Sequence, residues 1–277
     1  MIQIITDSST LHTVEEAKNL GFESLPLCVN IGDLEGRDLQ IDMKDFYNRI
    51  AQGQIPKSSQ PPIGEVMDLY EKYEDCEIIN IAMADGLSGT YQSACGAREM
   101  ADNKEKIHVF NTRTLCGPHR HMVEGAQKMK EEGKSVEEIL KWLEKLADNS
   151  ESFLIPQDFG FLRRGGRLTP MAATFGSILK IKPVMTQVEE GRRLDKFCVA
   201  RTMKVSIKNV IEHFKAKGVN KDYIIYISHA EALEDANNAK FMVAEAFPGV
   251  EIQMLDLGAA FVTQGGPKCV AIQYCMR

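Results

Sequence analysis

The chain has 277 residues, with 33 Lys and Arg against 39 Asp and Glu, for a formal net charge of −6. At 44% hydrophobic and 26% charged residues it has the balance of a globular protein, not of a disordered one. The acidic excess disfavours general binding to a phosphate backbone. No apolar run reaches the ~18 residues of a membrane span. Met1–Asp7 has neither the basic start nor the apolar length of a signal peptide. The seven cysteines are dispersed and form no CxxC, as expected of reduced thiols in a cytoplasmic protein.

Short β-rich runs alternate with helical periodicity, so the expected class is α/β, organised as two α/β domains. Ile2–Thr6 is apolar on nearly every residue, the pattern of a parallel strand covered on both faces. Asp42 is placed to cap a helix through Ile50, and Val66, Leu69 and Tyr70 share one face of a helix over 63–73. A strand over 77–83, a helix over 88–101, a strand over 107–110 and a helix over 117–132 follow. Ser135 and Glu138 form a capping box ahead of the Ile139, Leu140, Trp142, Leu143, Leu146 stripe, which is read as helix core. A boundary near 150 separates an N-terminal parallel-sheet domain over 1–150 from a C-terminal domain over 151–277. The second half opens with a strand over 153–155. Next come a basic, glycine-punctuated loop, Phe161-Leu162-Arg163-Arg164-Gly165-Gly166-Arg167, and a small-residue helix over 170–179. A hairpin joins 181–187 to 193–199. A helix over 203–216, a strand over 223–227, a helix over 231–246 and a strand over 250–255 complete a second α/β unit.

The chain has no GxxxxGK[ST] or GxGxxG phosphate loop and no HExxH or paired CxxC metal spacing. Cys116, His119 and His121 lie within six residues, but Pro118 and the tight spacing oppose tetrahedral ligation. No metal is expected there, and the histidines read as solvated residues opening a helix. His229, just past a strand, is the histidine best placed near a site. Three hydroxyl-rich segments fall at strand or helix ends: Asp7–Thr10, Lys57–Pro62 and Leu87–Ser93. Each alone reads as turn and cap chemistry. Together they favour a site for one small anionic head group, with Ser88 placed where it can also cap a helix.

These residues resemble the DegV family of bacterial fatty-acid-binding proteins, which serve as acyl carriers for a fatty acid kinase. The opening Thr6-Asp7-Ser8-Ser9 matches the family's start, and Ser58-Ser59-Gln60-Pro61 resembles its TSQP segment. Leu87–Ala94 (LSGTYQSA) is highly characteristic, and Phe161–Arg167 is similar to LxxGGR and is followed by Ile181-Lys182-Pro183. The resemblance runs along essentially the whole chain. It implies two α/β domains with an acyl tunnel between or beneath them, and no cofactor beyond the bound long-chain fatty acid. It places the carboxylate on Ser58 or Ser59 and on Ser88, and assigns Arg167 and Arg201 to the kinase partner and phosphate. The family's HTGPG segment reads Gln264-Gly265-Gly266-Pro267-Lys268 here. Gln264 therefore stands in for a head-group histidine as a neutral donor, and Lys268 is a candidate for the missing positive charge.

For such a ligand, about fourteen buried methylenes at ~0.8 kcal/mol each give ~11 kcal/mol before binding costs, so the head group sets orientation more than affinity. Tunnel candidates are Phe159, Phe161, Leu162, Phe175 and Ile178, with Met171, Leu179 and Met185, any of which can equally be core. The expected role is a lipid carrier that is not itself an enzyme, cytoplasmic, with no nucleic-acid partner and at most transient contact with a membrane surface. Two rivals remain: a serine-dependent acyl hydrolase using Ser88, and a regulatory nucleic-acid binder using the basic zone from Arg163 to Lys204.

Overall fold

The computed structural model describes residues 1–174 and 181–277. Backbone proximity divides the chain into two compact units, Met1–Asp148 and Asn149–Arg277. Both are α/β.

The first unit is built on β1 (Ile2–Asp7), which runs through a buried 3-10 turn (Ser8–Thr10) to α1 (Val14–Asn19). Next come β2 (Glu23–Leu25), β3 (Cys28–Ile31), β4 (Leu34–Arg37), α2 (Met43–Ala51), β5 (Lys57–Ser59) and α3 (Ile63–Lys72). The unit closes with β6 (Glu77–Ala82), α4 (Thr90–Met100), β7 (Ile107–Asn111), α5 (Cys116–Glu131) and α6 (Val136–Asp148). Four strands in the order β2-β1-β6-β7 make an all-parallel sheet. Burial on both faces explains the unbroken apolar runs of β1 and β6. On one face Val66 and Tyr70 of α3 and Ala94 and Ala97 of α4 close over Ile5, Ile78 and Ile107. Asp42 caps α2 by accepting from the Lys44 amide at 2.8 Å, and Ser135 with Glu138 makes the expected capping box.

Two readings of this unit need correction. The segment 57–62 is not simply a loop between helices. Lys57–Ser59 pairs with β3, which also pairs with β4, in a three-stranded antiparallel sheet of order β4-β3-β5. Strands of three or four residues are too short to show alternation. The expected helix start at Ser88 moves to Thr90, because Gly89 occupies the N-cap.

The second unit runs β8 (Ser150–Ile155), α7 (Phe159–Gly165), α8 (Pro170–Ala173), β9 (Lys182–Val188) and β10 (Arg193–Ala200). It continues through α9 (Met203–Ala216), β11 (Tyr223–His229), α10 (Leu233–Ala246), β12 (Glu251–Asp256), α11 (Ala259–Gly265) and β13 (Val270–Met276). A mixed six-stranded sheet has the order β10-β9-β8-β13-β11-β12, with only β11 and β12 parallel. Ile207, Ile211 and Phe214 of α9 and Ala236, Ala239 and Val243 of α10 seal one face against Phe153, Ile225 and Ile272. The basic segment read as a loop is helical as far as Gly165. Asp158 caps it by accepting from the Gly160 amide at 2.7 Å, and Gly166 ends it at φ +71°, where a side chain would be strained. The helix expected over 170–179 is helical over Pro170–Ala173. Phe175, Ile178 and Leu179 lie outside the described residues.

Candidate functional site

In the first unit, Asp7–Thr10 turns out to be a lock on the fold. Asp7 Oδ1 accepts from the Ser9 amide and Oδ2 from the Met83 amide, both at 2.9 Å, which ties the ends of β1 and β6 together. Ser8 donates to Asp38 at 2.8 Å. Ser9 Oγ meets His119 Nδ1 at 2.5 Å, and His119 Nε2 lies 3.0 Å from the Ile81 carbonyl. A carbonyl can only accept, so Nε2 carries the proton and Nδ1 accepts from Ser9. His119 is fully buried rather than solvated. Burial pushes its pKa down, holding the ring neutral. The hydroxyls of Ser8, Ser9 and Thr10 are thus inside and bonded within the unit.

The other two segments meet. Gln60, just after β5, lays its amide over the N-cap of α4 so closely that a Cβ on Gly89 would sit 2.6 Å from Gln60 Oε1. Only glycine allows that approach. Around the contact stand Ser58, half-buried, Ser59, exposed, and Ser88, half-buried. Ser88 Oγ lies 2.8 Å from Thr90 Oγ1 and 3.3 Å from the Thr90 amide. Ser88 and the Gln60 amide thus stand at the start of an 11-residue helix, an environment that favours an anion, while Ser58 and Ser59, successive residues of β5, turn to opposite faces of their strand. Gln60 is a group that sequence reading undervalued, because its partner lies 29 positions away and only the fold reveals it.

In the second unit, α7 packs against α11. Gln264 reaches over the Gly165 backbone, where a Cβ would lie 2.0 Å from its Oε1. A Cβ on Gly266 would lie 2.9 Å from the Phe161 ring. The two segments picked out as LxxGGR-like and HTGPG-like are thereby joined. Phe161 and Leu162 are buried, and Leu162 shares a cluster with Leu168, Ala172 and Met185, against which Phe159 packs. Met171, in contrast, is 74% exposed, so it lines nothing buried. Arg167 is half-buried rather than exposed. It donates to the Gly165 carbonyl, while Arg193 donates to the Gly166 carbonyl at 3.0 Å. Burial first, and the Arg193 charge second, hold the Arg167 guanidinium below its ordinary pKa. Two cationic side chains are thus gathered at one glycine turn. Arg201, between β10 and α9, is exposed.

Lys268 is exposed and turns to Glu231, donating to its carbonyl and lying 3.6 Å from its carboxylate. That leaves it a poor source of charge for a head group. His229 is nearly buried, with Nδ1 3.4 Å from Asp256 Oδ1. Burial raises the pKa of the Cys269 thiol, which packs under Gly265, to about 12, so it stays protonated near neutrality. Among the described residues no cluster of His, Cys, Asp and Glu suits a metal ion, and no helix is long and apolar enough to cross a membrane.

A parallel-sheet unit and a mixed-sheet unit define a two-unit α/β protein. The model of the DegV family of uncharacterised proteins matches residues 1–277, and the chain belongs to that family. It is 31% identical over 278 residues to a DegV domain-containing protein of Clostridium perfringens, covering 97% of this chain and 95% of the relative. Two solved structures show the same fold. DegV of Bacillus subtilis, a fatty acid binding protein, matches with a TM-score of 0.86 at 29% identity, covering 100% of this chain and 99% of its own. A DegV family protein from Thermus thermophilus, solved for its fatty acid binding, matches with a TM-score of 0.89 at 26% identity and the same coverage.

Proposed function

We propose that the protein binds a long-chain fatty acid and presents its carboxylate to a fatty acid kinase, acting as a carrier and not as an enzyme. The observation that carries this reading is the full-length likeness to the fatty-acid-binding DegV of Bacillus subtilis. The approach of Gln60 to Gly89 beside Ser88 supports it, with Ser58 or Ser59, Ser88 and the Gln264 amide as the proposed carboxylate donors. A buried carboxylate needs two or three such donors or it takes up a proton instead. Phe159, Phe161, Leu162, Phe175 and Ile178 are the proposed acyl contacts, and Arg167 with Arg201 the groups facing phosphate or the kinase. Ser88 Oγ has Thr90 as its partner and not an imidazole, which is a poor start for a nucleophile.

The test is mass spectrometry of lipid extracted from the purified protein, followed by displacement of a fluorescent fatty acid from delipidated Ser88→Ala. Affinity should fall by about 1–3 kcal/mol, the cost of leaving a charged acceptor one donor short. No co-purified acyl chain together with unchanged affinity would sink the reading. A Ser88-dependent burst on a chromogenic ester would replace it with the hydrolase.

A further inference from the structure

On one face of the second unit, α9 and α10 leave an open groove of about 550 Å³ between them. Its floor includes Ile207, Ile211 and Met242. Phe241 stands on its α10 side with 65% of its surface exposed, a large area of ring left in water. The two walls carry opposite charge: Lys204, Lys208 and Lys215 on α9, and Asp235 and Glu245 on α10. Among the described residues, Lys204, Lys208, Asp235 and Glu245 form no ion pair, so these charges remain available.

We propose that this groove is a self-association surface, occupied by the α9–α10 face of a second copy of this chain. Symmetry selects this occupant. The helix α9 ends where β11 begins and α10 begins where β11 ends, so both run antiparallel to β11 and parallel to each other. Lys204 and Asp235 stand near the two helix starts, and Lys215 and Glu245 near the two ends. A two-fold axis along the groove keeps every level and exchanges the helices, laying α9 of each copy on α10 of the other. Lys204 then meets Asp235 of the second copy, and Lys215, which also pairs with Glu212 on its own helix at 3.1 Å, comes level with Glu245. Each Phe241 has an apolar floor to enter. An anionic membrane or a nucleic acid would be repelled by the α10 wall, and a uniformly charged partner would satisfy only one wall. A second copy satisfies both.

Size sets the strength. Fourteen residues at 1.5 Å each make a face about 21 Å long, and two helices make it about 20 Å wide. Each copy therefore contributes on the order of 500 Å², and the pair falls below the ~1,200 Å² of stable complexes. The dimer is therefore a weak one.

Sedimentation velocity of the purified full chain across roughly 5–500 µM reads this directly. The 31.0 kDa monomer should rise toward twice that mass, and added salt should shift the rise to higher concentration. Phe241→Ser should raise Kd at least about tenfold, with no loss of thermal stability because the ring is exposed. Lys204→Glu and Asp235→Lys should each abolish self-association, since every copy then meets its like. Mixed together the two variants should associate again. At one contact the introduced carboxylate then faces the introduced ammonium, and at the other the native Lys204 faces the native Asp235. A monomer throughout the range would overturn the proposal, as would a dimer indifferent to Phe241→Ser or a mixture that fails to associate. Co-flotation of the unmodified chain with phosphatidylglycerol vesicles, lost in Phe241→Ser, would assign the face to a membrane instead. None of these outcomes depends on whether the protein carries a fatty acid.

Discussion

At the scale of single residues, the chain divides its polar side chains between holding the fold and facing a ligand, and the sequence does not mark which is which. Thr6-Asp7-Ser8-Ser9 and Ser88-Gly89-Thr90 look alike in composition, yet the first set is buried and bonded internally while Ser88 is half-buried. His119 shows the physical reason. Once an imidazole from α5 enters the core, it must find an acceptor and a donor there, and the Ile81 carbonyl and the Ser9 hydroxyl are that pair. Its depressed pKa makes a pH prediction. The unfolded chain takes up a proton below about pH 6.5 while the folded chain does not, so stability is full above that value and falls as the pH drops toward the folded pKa. The slope should reach about 1.4 kcal/mol per pH unit. Urea unfolding between pH 7.5 and 5, followed by the emission of the single tryptophan, Trp142, in the same unit, should show this slope. The slope should be flattened in His119→Gln, which is less stable at neutral pH but cannot titrate. Equal slopes in the two proteins would remove the role.

At the scale of elements, the parallel strands β1 and β6 were legible because burial on both faces leaves a continuous apolar run, as in Ile78–Ala82, whereas β2, of three residues, was not. The strand β13, which sits inside the six-stranded sheet, was not. Gln273 interrupts its run, and only the fold shows that this amide is buried and donates to Ser152 Oγ at 2.7 Å on the neighbouring strand. The helix α11 was hidden for another reason: seven residues give too few turns for periodicity. Close glycine contacts were equally invisible, and they yield two predictions. Gly125 of α5 lies against the Trp142 ring of α6, where a Cβ would fall 2.1 Å from the indole. Gly125→Ala should therefore push α5 and α6 apart, cost about 1–3 kcal/mol as overpacking does, and shift the Trp142 emission to the red. Gly165→Ala should behave differently. The atom it meets is at the far end of the Gln264 side chain, which can swing away. Stability should then change by less than about 1 kcal/mol while fatty acid affinity falls as it does in Gln264→Ala. If both substitutions at this contact left affinity untouched, Gln264 would have no part in the head-group site.

At the scale of the whole molecule, the fold class and the family were legible because they rest on motifs spread over the full length, from Thr6 to Gln264. The carrier reading then makes a prediction about the molecule as a unit. A ligand that binds only the folded chain stabilises it by RT ln(1 + [L]/Kd), about 2.7 kcal/mol at a hundredfold excess over Kd. For a chain of this size each kcal/mol moves the melting temperature by roughly 2–4 °C, so saturating fatty acid should raise the Tm of delipidated protein by about 5–10 °C. The head group and the chain can be separated in the same measurement. A methyl ester keeps the methylenes and their ~0.8 kcal/mol apiece but loses the charge that Ser58, Ser59, Ser88 and Gln264 are proposed to hold. It should stabilise less than the acid, by about the 1–3 kcal/mol of one or two charged hydrogen bonds. A short acid such as octanoate, with the carboxylate intact and half the chain gone, should stabilise far less than either at equal concentration. If the ester matches the acid, the hydroxyl loops do not hold the carboxylate. If octanoate matches palmitate, the buried apolar residues of α7 do not line a tunnel, and the site is one for small anions alone.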